Sequence, residues 1–269
     1  MTRRSASYLT GAVPFGVVLL AALSGLGAPA EAPVPDSAAA RGRVTLRLLG
    51  VNDFHGHLEP PRRGLGGAAW LKAHLDAAAV PGRTIRVHAG DMVGASPLIS
   101  AHFRDQPTVE VANRLGFDVG TLGNHEFDAG GRELMRLLRG GDGFEGTRFP
   151  VIAANTFGRD GRLLLPPIAV VERAGVRVGF IGVTTPATPR WLLPRHAASF
   201  RFGDISESVN RWVPLLARRG VRAIVVLAHE GARSQTGLNG REPDGPVLEE
   251  AAQMDDEVDL VVAATATRG

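Results

Sequence analysis

The sequence predicts an α/β fold made of repeated strand–turn–helix units. Short β-branched, apolar runs alternate with longer runs in which apolar residues recur every three or four positions. Of the 269 residues, 44% are hydrophobic, which is enough for one large domain or two small ones with a sizeable core. The 34 glycines and 18 prolines provide the turns that such an alternation requires.

Composition excludes several kinds of site. The chain has no cysteine, so disulfides and thiolate metal sites are absent, and any metal must bind to His, Asp, Glu, Asn or backbone oxygen. The formal charge of +3 is small, Lys72 is the only lysine, and the arginines are scattered. Because nucleic-acid-binding proteins concentrate basic residues on one face, we expect no nucleic acid partner.

The N-terminus has the pattern of a targeting segment. Arg3 and Arg4 precede an apolar run at 12–26, and small residues around Ala30 offer cleavage sites. We predict a signal peptide at 1–32 and a disordered leader at 33–43, and hence a secreted, periplasmic or cell-surface protein. A membrane anchor is the alternative, but the run contains Pro and Gly and no later stretch is long and apolar enough to span a bilayer.

The elements follow in order from composition and periodicity. The predicted strands are β-branched and apolar, and they lie at 44–51, 84–89, 118–121, 149–155, 168–172, 176–182, 221–227 and 258–263. The predicted helices show apolar residues on one face, and they lie at 66–79, 107–115, around 134–138, and at 206–219 and 246–254. Ala174-Gly175 is expected to turn a hairpin, and Trp212 is expected in the core.

Residues of metal-ligand type follow four of these strands. They are Asp53, His55, Asp91, Asn124, His125 and His229. Each alone has an ordinary structural explanation as a turn or helix-capping residue. Together they predict a carboxylate- and imidazole-lined cleft at the carboxyl edge of a sheet. Such a mixture suits two metal ions that clamp a phosphoester and activate a water, with Asp128 orienting the His125 ring.

Four ordered motifs resemble those of a known family. They are VNDFHGH at 51–57, AGD at 89–91, GNHEFD at 123–128 and AHEG at 228–231. They are similar to motifs of the calcineurin-like metallophosphoesterases, in the secreted 5'-nucleotidase and UDP-sugar hydrolase branch. The resemblance covers roughly 44–262 and implies a four-layer αββα sandwich, incomplete at the C-terminus.

The resemblance also implies roles for the site residues. Asp53 and His55 would bind one divalent metal ion, Asn124 and His229 would bind a second, and Asp91 would bridge both. The ions would be Zn, Mn, Mg or Co. His125 would face the leaving group as a catalytic residue, and Asp128 would orient its ring.

The C-terminus departs from the family pattern. A Gly-His-Thr-His motif should follow the last strand, but Thr265 and Thr267 occupy the two histidine positions. Each metal would then lose one ligand. The C-terminal nucleotidase domain of this branch is also missing after residue 269, so we expect a metallophosphoesterase domain at 44–269 from a truncated or frame-shifted reading.

The sequence therefore predicts a secreted hydrolase that releases phosphate from nucleotides or other small phosphoesters. Its activity would be impaired by the lost ligands. A 2',3'-cyclic-nucleotide phosphodiesterase or a UDP-sugar hydrolase is an alternative with the same metal core. An inactive remnant is a second alternative, and a periplasmic solute-binding protein is a third that would not need ligand-type residues at four strands.

Overall fold

The computed structural model describes residues 44–60, 66–141, 143–231 and 245–264, together with the backbone of a short strand at Ser7–Leu9. The predicted signal peptide and leader otherwise lie outside the described residues, as do Thr265 and Thr267. Within the described part of the chain, no helix has the length and apolar character needed to cross a membrane.

Eleven strands and seven α-helices are present in the described residues. The strands are β1 (Ser7–Leu9), β2 (Arg47–Val51), β3 (Thr84–His88), β4 (Val119–Thr121), β5 (Val151–Ile152), β6 (Thr156–Gly158), β7 (Ile168–Arg173), β8 (Val176–Thr184), β9 (Phe200–Phe202), β10 (Ala223–Gly231) and β11 (Leu260–Ala264). The α-helices are α1 (Gly67–Ala78), α2 (Leu98–Ala101), α3 (Gln106–Leu115), α4 (Gly131–Arg139), α5 (Pro194–Ala197), α6 (Ile205–Arg218) and α7 (Pro246–Ala251). Two 3-10 turns lie at His125–Phe127 and Thr188–Arg190.

The strands form two main sheets. One has four parallel strands in the order β2-β3-β4-β5, which is the arrangement that strand–helix–strand units produce. The other has the order β1-β11-β10-β8-β7, and only β7 runs antiparallel to its neighbour. The predicted hairpin is confirmed, because β7 and β8 are joined by Ala174 and Gly175, both with positive φ.

Alternating side chains place the two sheets face to face. On β8, Phe180 points into a cluster shared with Ile85 and Val119 of the other sheet. The next residue, Ile181, points outward and packs against α6. On the far side, Leu71 of α1 belongs to a cluster that covers the outer face of the four-stranded sheet. The predicted four-layer αββα sandwich is confirmed.

Several local predictions were wrong in detail. The predicted strand 149–155 is only two residues long, and a separate antiparallel pair, β6 with β9, follows it. The predicted strand 221–227 extends to Gly231, so His229 lies inside β10 rather than after it. The pairing of β10 with β11 shifts register between Ala228 and Gly231, and His229 lies within this irregularity.

Candidate metal centre

Parallel strands bring most of the predicted site residues to one edge. Asp53 follows β2, Asp91 follows β3 and Asn124 follows β4, and these three strands are neighbours in the four-stranded sheet. Their carboxyl ends therefore meet. His229 comes from β10 of the other sheet, and its Nδ1 lies 2.8 Å from the Ala89 carbonyl oxygen. The structure thus brings together groups that are far apart in sequence.

The ligand-type atoms form two overlapping groups that share Asp91. Asp53, Asp91 and His229 form one, and His55, Asp91 and His125 form the other. Within each group the ligand atoms lie within 4.8 Å of one another. Asp91 is therefore the one carboxylate common to both groups.

Distances around Asp91 define the centre. The Oδ2 atom of Asp91 lies 3.1 Å from His229 Nε2 and 3.7 Å from His55 Nε2. His55 Nε2 also lies 4.0 Å from Asp53 Oδ1, and Asn124 Oδ1 lies 3.1 Å from His229 Nε2. The ligand atom of His125 lies within 4.8 Å of those of His55 and Asp91.

Three histidines share one mode of orientation. The Nδ1 atom of His55 lies 2.9 Å from the Gly94 carbonyl oxygen, and that of His125 lies 2.8 Å from Asp128 Oδ2. With the His229–Ala89 contact, each ring has Nδ1 held by an oxygen acceptor. Because an oxygen acceptor favours the proton on Nδ1, each Nε2 is left to act as a ligand or an acid.

The backbone at the site is strained. The backbone φ angle is positive at Asp53, His55 and Asp91, at 51°, 47° and 52°. Residues other than glycine rarely adopt this region. Hydrogen bonds between the two loops hold it, since the Asp53 amide donates to Gly90 O and the His55 amide to Asp91 O. The chain therefore maintains an unfavourable conformation where the predicted ligands lie.

Because Gly123 has no side chain, the turn after β4 can lie close to the loop that carries Asp91. A Cβ atom at this position would lie 2.1 Å from Asp91 Oδ1, so any side chain would displace the shared carboxylate. The same Oδ1 accepts a hydrogen bond of 2.9 Å from the His125 amide. The glycine of the GNHEFD motif is thus required by the approach of the Asp91 loop.

Electrostatics favour positive charge at the centre. Burial lowers the pKa of His229, but Asp91, by charge and hydrogen bond, together with Asp53 and Glu126, raises it to about 10. Burial raises the pKa of Asp91, and the neighbouring His229 lowers it below its ordinary range. The hydrogen bond that His125 Nδ1 donates to Asp128 is the main cause that raises the pKa of His125. A field that stabilises a cationic imidazole also stabilises a metal cation, so the oxygen and nitrogen donors here fit divalent ions.

A cleft of about 540 Å³ opens beside His125 and Asp128. Its lining includes small residues such as Gly94 and Ala129, the basic Arg104, and four acidic residues, which are Asp105, Glu126, Asp128 and Glu133. The volume is in the range that small-molecule sites in proteins occupy. The cleft therefore adjoins the centre at His125.

Sequence reasoning missed two polar residues next to the predicted ligands. Asn52 is buried, and its side-chain amide donates a 2.5 Å hydrogen bond to Asp53 Oδ2. Glu126 is also buried, and burial followed by the nearby Asp91 raises its pKa to about 7. Their places in the VNDFHGH and GNHEFD motifs, directly beside predicted site residues, indicate that both are near the site, but the sequence does not show what they contact.

Comparisons with known proteins give several relatives and no matching family model. "Cell wall protein Lmo0130" of Listeria monocytogenes is 38% identical over 92% of this chain and 36% of its own length. "Endonuclease YhcR" of Bacillus subtilis is 37% identical over 82% of this chain and 19% of its own. "Probable 5'-nucleotidase" of Treponema pallidum is 33% identical over 71% of this chain and 33% of its own.

Solved structures share the fold. The 5'-nucleotidase precursor of Thermus thermophilus is 34% identical with a TM-score of 0.56, over 70% of this chain and 38% of its own. The calcineurin-like phosphoesterase YfkN of Bacillus subtilis is 24% identical with a TM-score of 0.62, over 81% of this chain and 71% of its own. The chain belongs to the calcineurin-like metallophosphoesterases of the 5'-nucleotidase type.

The metallophosphoesterase fold implies divalent metal ions, and the donor set around Asp91 fits them. The chain spans between 19% and 36% of the length of the three relatives named above. The metallophosphoesterase region is thus one part of those longer proteins.

Proposed function

We propose that this chain is the catalytic part of an exported phosphohydrolase that releases phosphate from nucleotides. The observation that carries the proposal is the buried carboxylate of Asp91, which belongs to both ligand groups, together with an open cleft lined by His125 of one of those groups. Homologues named 5'-nucleotidase support a nucleotide as the substrate.

We propose that Asp53, His55, Asp91, Asn124 and His229 hold two divalent ions, drawn from Zn, Mn, Mg and Co. When bound, the ions would neutralise the phosphoryl oxygens and activate the attacking water. Asp91 is common to both ligand groups, and the fixed Nδ1 contacts of His55 and His229 direct their Nε2 atoms inward.

His125 is the proposed catalytic residue. Its Nδ1 is held by Asp128, which raises the pKa of the imidazole and leaves Nε2 for the centre. A protonated ring at the mouth of the cleft would stabilise negative charge on the phosphoryl group and supply a proton to the departing alcohol oxygen. Asp128 keeps the ring oriented for that transfer.

The first experiment measures metal binding and turnover together. Mn²⁺ is titrated by calorimetry into the wild-type chain, Asp91→Asn and Asp160→Asn, and phosphate release from AMP is assayed for each. We expect close to two ions and turnover for the wild type, loss of both for Asp91→Asn, and no change for Asp160→Asn, whose side chain is exposed. A wild-type chain that binds no Mn²⁺ and releases no phosphate would instead be the inactive remnant.

The positions of Thr265 and Thr267 set the expected strength of binding. With threonine in place of two histidines, each ion would have one donor fewer, and the Mn²⁺ affinity of this chain would be low. Thr265→His with Thr267→His should then increase Mn²⁺ affinity. Equal affinity of the double variant and the wild type would show that these positions do not reach the centre.

A second candidate function is hydrolysis of phosphodiesters. It is favoured by the relative named Endonuclease YhcR, which is 37% identical to this chain. The two candidates are separated by comparing AMP with a 2',3'-cyclic nucleotide, bis(p-nitrophenyl) phosphate and linear DNA under the same metal conditions. Turnover of AMP alone supports the nucleotidase, and preferential turnover of the diesters supports the alternative.

Export is part of the proposal. It is supported by the predicted signal peptide and by the relative named as a cell wall protein. N-terminal sequencing of the protein recovered outside the cytoplasm of a bacterial host should show a new terminus after Ala30 or Ala32. Recovery of an intact N-terminus in the cytoplasm would contradict export.

A further inference from the structure

Glu126 is a buried carboxylate for which the proposed mechanism has no use. Its side chain is 7% exposed, although it lies in the 3-10 turn between Asn124 and Asp128. Its carboxylate oxygens accept backbone hydrogen bonds from four amides, those of Asp91 at 2.9 Å, Met92 at 2.8 Å, Val93 at 3.4 Å and Gly123 at 2.5 Å.

These amides belong to two loops, and each loop carries a predicted ligand. Three consecutive amides, 91–93, come from the loop after β3 that carries Asp91. The fourth, from Gly123, comes from the turn after β4 that carries Asn124. Successive backbone amides in a turn form a concave site for an anion, and here the anion is the Glu126 side chain.

The strain at Asp91 gives this contact a specific consequence. Asp91 has a φ of 52°, which the chain adopts at a cost in energy. Glu126 accepts hydrogen bonds from the amide of Asp91 and from those of the next two residues, and these bonds stabilise the turn in that conformation. A carboxylate that only capped its own 3-10 turn would have no need to reach amides 33 to 35 positions earlier in the chain.

We propose that Glu126 is a positioning residue that fixes the distance between Asp91 and Asn124 before metal ions bind. It does so by joining the Asp91 loop and the Asn124 turn through one shared carboxylate. The inference rests on the metal centre of the proposed function and adds a residue that belongs to neither ligand group.

The test is Glu126→Gln, which keeps the volume of the side chain. The amide NH₂ that replaces one oxygen cannot accept a hydrogen bond, so it must face backbone N–H groups. We expect the Mn²⁺ concentration at half saturation to rise ~10–100-fold by calorimetry on the folded protein, the range found when groups that orient metal ligands are removed. Glu145→Gln, a matched change at an exposed glutamate, should leave it unchanged.

Two readouts separate positioning from general support of the fold. In metal-free protein, hydrogen exchange at the amides of 91–93 and Gly123 should accelerate in Glu126→Gln, while the strand amides of β3 and β4 keep their protection. Excess Mn²⁺ should restore turnover of the variant, because added metal offsets a loss of affinity. In a variant that was merely less stable, the molecules that remain folded would need the same Mn²⁺ concentration for turnover as the wild type.

The outcomes are distinct. If the wild type binds Mn²⁺ and Glu126→Gln binds it with the same affinity, this inference is overturned and the proposed function stands. No Mn²⁺ binding by the wild type overturns both. If Glu126→Gln fails to fold, Glu126→Asp is used, in which the charge is kept but the carboxylate is one methylene shorter. Failure of both variants to fold also overturns the inference, because Glu126 would then support the whole domain.

Discussion

His125 and Asp128 lie three residues apart, and their side chains meet at 2.8 Å between Nδ1 and Oδ2. We expect His125→Ala to lower turnover ~10²–10⁴-fold while bound metal stays constant, because the proposed role is proton transfer and charge stabilisation. Metal content by atomic emission and phosphate release from AMP check this. Since the His125 ligand atom groups with His55 and Asp91, a parallel fall in metal content would make it a ligand instead.

Glu133 supplies a prediction about acid stability. Burial raises the pKa of its carboxyl, but hydrogen bonds from Arg136 and Arg104 lower it below the ordinary value of 4.5. A depressed carboxyl pKa gives stability that is present above 4.5 and is lost as pH falls through the folded-state value. Glu133→Gln should therefore make the free energy of unfolding fall less steeply below pH 4.5, as measured by urea unfolding.

At neutral pH, Glu133→Gln should cost roughly 1 kcal/mol or less, as is usual for ion pairs near the surface. Glu145→Gln is the comparison, because Glu145 also pairs with an arginine but is exposed. If the free energy of unfolding of Glu133→Gln fell with decreasing pH as steeply as that of the wild type, the arginine pairs would not stabilise the fold.

Single residues also show what sequence could and could not supply. Asp53, Asp91 and Asn124 were predicted to converge because each follows a parallel strand, and the structure places them at one edge. Glu126 was missed because its partners are backbone amides, which have no side-chain signature in a sequence. Contacts to the main chain become visible only when the path of the chain is known.

Among the elements, α6 has a defined start. Asp204 precedes it, and its Oδ1 accepts a hydrogen bond of 2.8 Å from the Glu207 amide. Asp204→Ala should lower the free energy of unfolding by about 1 kcal/mol, because that amide loses its partner. Asp204→Asn keeps an acceptor oxygen and should cost much less. Equal losses in both variants by urea unfolding would argue against capping as the cause.

Element bounds were predicted well where a strong pattern filled the whole element. The hairpin of β7 and β8 followed from two apolar runs around a two-residue turn. The pair of β6 with β9 was missed, because each strand has only three residues and the partners are distant in sequence. The extension of β10 through His229 was missed because polar residues end an apolar pattern before they end a strand.

For the whole molecule, one hydrophobic cluster packs between the two sheets. Phe180 is fully buried there, among residues from both sheets. Phe180→Ala should cost about 3–5 kcal/mol of unfolding free energy, by lost transfer energy and a residual cavity. Phe180→Leu should cost less, since it leaves a smaller void. Urea unfolding measures both, and a loss below roughly 1 kcal/mol for Phe180→Ala would contradict a tightly packed interlayer.

The origin of His229 in a different sheet from Asp53, Asp91 and Asn124 has a mechanical result. Ions held by this set would tie the two halves of the sandwich together, as a non-covalent cross-link added to the hydrophobic packing and to hydrogen bonds such as that of Thr184 with Leu122. Saturating metal at about 100 times its dissociation constant would add about 2.7 kcal/mol to the stability of the native state. Removing the ions with a chelator should then loosen the contact between the two sheets first. The same few ligand atoms would thus serve both the catalytic chemistry and the stability of the molecule.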